Sequence, residues 1–167
     1  MNLRRINPLK KMCLIVVTSM LLATLSACGA LSERDPLERQ NFLDLMDERG
    51  FTIVDYTNEL TGDLEELVSL YLIAISPSGS YQIEFLELHS VGGAEILFAG
   101  TRENAESLRG NTSSHSSVDG RNHSTYQLTS AGLYSHLLRV DDVFVFVLGA
   151  DSDDRDEIRE LFNLISN

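Results

Sequence analysis

The segment LYLIAISPSGSYQIEFLELH, residues 70–89, decides the fold. Leu70 to Ile75 and Tyr81 to His89 are rich in apolar, β-branched and aromatic residues and read as strands. Between them Ser76-Pro77-Ser78-Gly79 supplies turn residues, so the whole segment is expected to be a β-hairpin.

Downstream, Ser90 is placed to cap a helix whose apolar set Ala94, Leu97, Phe98, Ala105 and Leu108 follows helical spacing, with Gly110 as its end. The stretch NTSSHSSVDGRN, residues 111–122, has Val118 as its one large apolar residue and is expected to be a flexible loop. Three strands are expected next, near Ser124 to Thr129, Leu133 to Val140 and Val143 to Leu148, with turns at Ser130-Ala131-Gly132 and Asp141-Asp142. A last helix is expected over Ser152 to Ile165. Asp153, Asp154, Asp156 and Glu157 suit its start, and Ile158, Leu161, Phe162 and Ile165 form its buried face.

Upstream of the hairpin, Asp35-Pro36 is expected to open a helix with Phe42, Leu45 and Met46 on one face and Gly50 at its stop. A strand near Phe51 to Tyr56 and a short helical turn at Asp63 to Val68 lead into the hairpin. The expected order is α-βββ-α-βββ-α. Short connections favour antiparallel neighbours, so residues 35–167 are expected to form a single α+β domain. Its sheet should be mostly antiparallel, of about six strands, with three main helices packed on one face; two smaller sheets are the alternative.

Residues 1–27 have the parts of a removed secretory signal peptide: basic Arg4, Arg5, Lys10 and Lys11, an apolar stretch from Met12 to Thr24, and small residues after it. That stretch falls short of the ~20 apolar residues a membrane-spanning helix needs. Leu25, Ser26, Ala27 and Cys28 resemble a bacterial lipobox, which implies that Cys28 receives a diacylglyceryl group and becomes the first residue of the mature chain. Residues 28–34 would then be a lipidated tether on the extracytoplasmic face of the cell membrane, since two acyl chains suffice for stable anchoring. Cys13, the other of two cysteines, would leave with the signal, so no disulfide remains possible.

The full chain carries a formal charge of -12; without its four basic signal residues, nine basic face 25 acidic residues, or -16. So acidic a domain is repelled by phosphate backbones and anionic lipid surfaces, which argues against nucleic acid as a partner and leaves membrane attachment to the lipid on Cys28. A basic patch on an envelope protein, or a cation, is compatible with this charge.

No catalytic constellation is legible. His115, Asp119 and His123 recur every four residues, but in a loop that spacing converges on nothing, and no metal site or cofactor is assigned. The run Asp151-Ser152-Asp153-Asp154-Arg155-Asp156 begins like a calcium loop, yet Arg155 stands at a ligand position and Phe162 where a bidentate glutamate belongs, so a helix start explains it better. Serines crowd His115 without a nucleophile elbow. Gly92-Gly93 lacks the further glycine and lysine of a phosphate loop and is read as adjusting helix entry. Asn111 and Asn122 begin Asn-X-Ser/Thr sequons and are read as solvent-facing turn residues, and His89 and His136 as ordinary strand histidines. Tyr71, Tyr81, Tyr126 and Tyr134 recur on strands; as a group they are the tentative ligand or partner surface, with ordinary strand packing as the other reading.

The lipobox, the tether, the helix ending at Gly50-Phe51, YQIEF at 81–85, the Ser90 helix start, the serine-rich loop and NHSTYQLTSAG at 122–132 together resemble small lipoproteins common in Gram-positive bacteria. The resemblance implies a lipid-anchored extracytoplasmic domain and carries over no catalytic residue. The favoured function is therefore a non-enzymatic binding or accessory module at the cell surface. The alternative is a one-domain carrier of a small ligand or metal serving a transporter, with a hydrolase using the His115 region last.

Overall fold

The run VFVFV, residues 143–147, forms the middle of the central strand, and its uninterrupted apolarity has a simple cause: both sides of that strand are covered. The computed structural model describes residues 33–166. The signal segment, Leu25, Ser26, Ala27, Cys28 and the tether up to residue 32 lie outside the described residues.

The described residues form one compact unit containing four helices and a seven-stranded, wholly antiparallel sheet. In chain order these are α1 (Arg39–Glu48), β1 (Thr52–Asp55), α2 (Asp63–Leu67), β2 (Val68–Ile75), β3 (Gln82–Leu88), α3 (Val91–Ser107), β4 (Ser113–Asp119), β5 (His123–Ser130), β6 (Leu133–Val140), β7 (Val143–Asp151) and α4 (Arg155–Ile165). Spatially the strands run β1-β2-β3-β7-β6-β5-β4. The expected 70–89 hairpin is β2 and β3, with Ile75 opposite Gln82, and Ser76-Pro77-Ser78-Gly79 in the turn between them. None of the described helices is long and apolar enough to cross a membrane.

Helices cover both faces of the sheet, which corrects the expected single helical layer. On one face α1 and α4 bury Phe42, Met46, Ile158, Leu161 and Phe162 against Phe85, Leu138 and Val145. Phe42 stacks on Phe85 at 4.7 Å between ring centroids. On the other face α3 lays Ala94, Phe98 and Ala105 over Leu86, Leu137 and Phe144. Two separate apolar clusters result, one on each side of the sheet. The side chains of β7 alternate between them, valines to one and phenylalanines to the other.

The serine-rich segment expected as a flexible loop is strand β4, the seventh strand. It pairs with β5 over seven registered positions, from Ser113 opposite Ser130 to Asp119 opposite Ser124. Its side chains bury almost nothing, so order comes from the backbone ladder, which hydropathy cannot report. The first helix also departs from expectation. Residues 33–38 carry no regular secondary structure and α1 starts at Arg39 rather than at Asp35-Pro36, because the lead-in carries Leu37 down into the core before the helix begins. The last helix is split: a short 3₁₀ turn, Ser152–Asp154, precedes α4.

Other local expectations hold. Ser90 caps α3 by accepting the Gly93 amide at 3.1 Å. Gly50 ends the first helical region at φ +75°. The β5–β6 turn has Ala131 at φ 53° and Gly132 at φ 81°, the left-handed pair of a tight hairpin turn.

Candidate functional site

Helix α3 lies over β5, β6, β7 and β3 but leaves the edge strand β4 uncovered, and an open cleft of about 420 Å³ follows along the uncovered side. One wall is a stripe of α3 that includes Glu95, Arg102, Glu103 and Glu106; the floor comes from Ser124 and Arg139, and Asp119 of β4 closes the far rim. The helical period places those α3 residues together, since positions three, four, seven and eleven apart share a face.

Arg102 reaches over the Tyr126 ring, 4.9 Å from its centroid, while its Nε donates to Glu106 Oε1 at 2.9 Å. That hydrogen bond holds the Glu106 carboxyl below its ordinary range. Arg139 is only 4% exposed. Its guanidinium donates to the Asn122 and Asp141 carbonyl oxygens at 3.4 and 3.3 Å and to Ser124 Oγ at 3.2 Å, with the Glu95 carboxylate 3.9 Å away. Arg139 thus ties the β4–β5 turn to the β6–β7 turn beneath the cleft. Glu103 and Asp119 are exposed and, among the described residues, make no hydrogen bond or ion pair. The cleft therefore presents free negative charge.

A second groove, about 210 Å³, lies beside β4 on the opposite face. Ser114, Ser116, Gln127 and Thr129 line it, with Arg155 and Arg159 of α4 above them. Arg155 leans on Asp156 at 3.2 Å, whereas Arg159 makes no hydrogen bond or ion pair among the described residues. At the edge of this groove His136 stacks on Phe162 at 3.9 Å between centroids. Its Nε2 lies 3.3 Å from Gln127 Nε2 and its Nδ1 3.3 Å from Tyr134 Oη. Burial, helped by the nearby charges of Arg159 and Arg34, pushes its pKa down to about 3.

The four strand tyrosines do not form a contact surface, which corrects that expectation. Tyr81, Tyr126 and Tyr134 are buried and divide between the two apolar clusters, and half-buried Tyr71 donates to Glu84 Oε2 at 2.5 Å. The rings serve packing, where a strand tyrosine most often goes. Asn122 is likewise not a free turn residue: it accepts the Arg34 amide at 2.9 Å and donates to the Arg34 carbonyl at 2.9 Å, fastening the start of the described chain.

The candidate metal residues diverge. His115 and Asp119 share the α3 side of β4, whereas His123 points to the other face of β5, buried, with its ring packed on Gly120. His115 Nδ1 lies 2.8 Å from Arg109 Nη2. Among the described residues no group of three His, Cys, Asp or Glu is disposed to hold a metal ion, and no serine hydroxyl is hydrogen-bonded to a histidine. The Asp151 run is a helix entry, with Asp151 Oδ1 accepting the Asp153 amide at 2.9 Å. Gly93, buried beside Ser90 Oγ and Leu88, fits its reading as an adjustment of helix entry, and His89 is exposed at the end of β3.

Glu95, Arg102, Glu103, Glu106, Arg139 and Arg159 are the site residues that sequence reasoning missed. Arg139 alone left a signal, a cation inside the otherwise apolar run LLRV of β6. No family model, curated protein or solved structure matches the chain.

Proposed function

We propose that the chain is a lipid-anchored extracytoplasmic lipoprotein that binds a partner without chemical turnover, its contacts made at the cleft between α3 and β4. The binding half of this reading is carried by one observation, an open cleft beside the sheet's edge whose rim acids Glu103 and Asp119 are unpaired. Unpaired rim carboxylates steer cationic groups of a partner and suppress anionic ones. The anchoring half rests on the lipobox-like Leu25, Ser26, Ala27 and Cys28 and on the resemblance to small lipoproteins of Gram-positive bacteria.

Both halves are tested on full-length protein extracted from bacterial membranes. Intact mass should match a chain that begins at Cys28 and carries acyl groups, and the Cys28→Ala form should lack them. Titration of the detergent-solubilised protein with a blocked tetralysine peptide should give saturable binding, weakened about tenfold in the Glu103→Lys, Asp119→Lys double variant, as two rim charges of this kind allow. An unlipidated mass removes the anchor. Equal binding by the double variant removes the cleft.

A further inference from the structure

Strand β4 is an open edge with little of the usual protection. Natural edge strands are kept from pairing with other chains by charged side chains, proline, bulges or a covering element. Residues 113–119 contain no lysine, arginine or proline and a single carboxylate, Asp119 at the strand's end; their register with β5 is unbroken, and β4 terminates the sheet. The outward-facing backbone groups can be identified. The Gly120 amide donates to the His123 carbonyl at 2.8 Å, and antiparallel pairs alternate between bonded and unbonded. Ser114, Ser116 and Val118 therefore exchange hydrogen bonds with β5. Ser113, His115, Ser117 and Asp119 turn their N–H and C=O groups away from the sheet, where no backbone group of the described residues meets them.

The charges beside that edge differ between the two faces, with Arg109 bound to Ser113 Oγ at 3.0 Å and 2.8 Å from His115 Nδ1 at the end away from Asp119. On the α3 side the Asp119 end is negative, with Glu103 behind it; on the α4 side Ser114 and Ser116 stand below Arg155 and Arg159. Neighbouring residues of an added strand point to opposite faces, so one extended segment meets both environments at once. We infer that β4 is the docking edge for an extended segment of a partner protein, which joins the sheet as an eighth strand. Its basic side chains fall beside Asp119 and its acidic ones beneath Arg159. This deepens the binding-module reading and rests on it.

Every strand pair in the sheet is antiparallel, so the matching probe is written antiparallel to β4. Opposite residues 119 to 113 it reads Lys-Thr-Lys-Glu-Ser-Glu-Ser, blocked at both ends. The measurement is residue-resolved amide hydrogen exchange of the full chain in detergent, with this peptide, with the charge-swapped peptide Glu-Thr-Glu-Lys-Ser-Lys-Ser, and with a backbone N-methylated form of the first. The first peptide should slow exchange at His115, Ser117 and Asp119 about tenfold or more, because amides in a closed ladder exchange only on opening. The other two should not. Three results overturn the inference: binding of the first peptide without that protection, equal protection by the charge-swapped peptide, or protection that grows with protein concentration when no peptide is present, which would make a second copy of the chain the occupant. The first of these leaves the binding-module reading standing. Failure of both the first peptide and the blocked tetralysine peptide to bind removes both readings.

Discussion

His136 lies where the sheet meets α4, and its neighbours set its charge state: Phe162 stacks on it, Tyr134 and Gln127 occupy its nitrogens, and Arg159 and Arg34 add unfavourable positive charge. Its pKa is depressed to about 3, and burial lowers that of His123 as well. A histidine kept neutral in the fold leaves the unfolded chain to bind the proton first as pH falls. The stability tied to it is complete above about pH 6.5 and is lost progressively toward pH 3. The hydrogen-bonded carboxyls Asp55 and Glu106 act in the same direction but only below the ordinary carboxylate range. Urea unfolding at pH 6.5 and pH 5 should therefore differ by roughly 1–2 kcal/mol for His136 alone, about 1 kcal/mol per pH unit. His136→Phe should shrink that difference whatever it does to the baseline. An unchanged pH slope in the variant would show that His136 is not held neutral.

Among the elements, α3 shapes the cleft and depends on its first turn. Ser90 Oγ accepts the Gly93 amide, and Gly93 is buried with the side chain of Leu88 close by. Ser90→Ala should cost about 1 kcal/mol in unfolding free energy, and Ser90→Gly only a few tenths, measured by denaturant titration. This cap was legible in the sequence, as were the 70–89 hairpin, the tight turn at Ala131-Gly132 and the helix at the C-terminal end, because turn chemistry and periodicity are local signals. Strand β4 was not legible, since SSHSSVD has no apolar alternation and takes its order from the β5 backbone beside it. The placement of helices on both faces was hidden too, although VFVFV in β7 held the clue that neither side of that strand meets water. Aspartate and proline at 35 and 36 gave a helix-start signal that the burial of Leu37 overrode.

Across the whole molecule, the site is a product of tertiary arrangement. Glu103 of α3, Asp119 of β4, Arg139 of β6 and Arg159 of α4 come from four elements, and no sequence spacing joins them. His115, Asp119 and His123 do not converge for the converse reason: His115 and Asp119 stand on the α3 side of β4, whereas His123 lies on β5 with its side chain toward the other face. Acidic rim groups at the Asp119 end and the arginines of α4 flank one open edge, on opposite faces of the sheet. The most direct test of docking at that edge is calorimetric titration of full-length Ser117→Pro and Ser117→Thr with Lys-Thr-Lys-Glu-Ser-Glu-Ser. Proline at 117 removes an outward N–H and obstructs an incoming strand, yet leaves the bonds from Ser116 and Val118 to β5 in place. Thermal unfolding should stay close to wild type in both variants, with peptide affinity kept in Ser117→Thr and reduced at least about tenfold in Ser117→Pro. Wild-type affinity in a folded Ser117→Pro protein would contradict docking at β4.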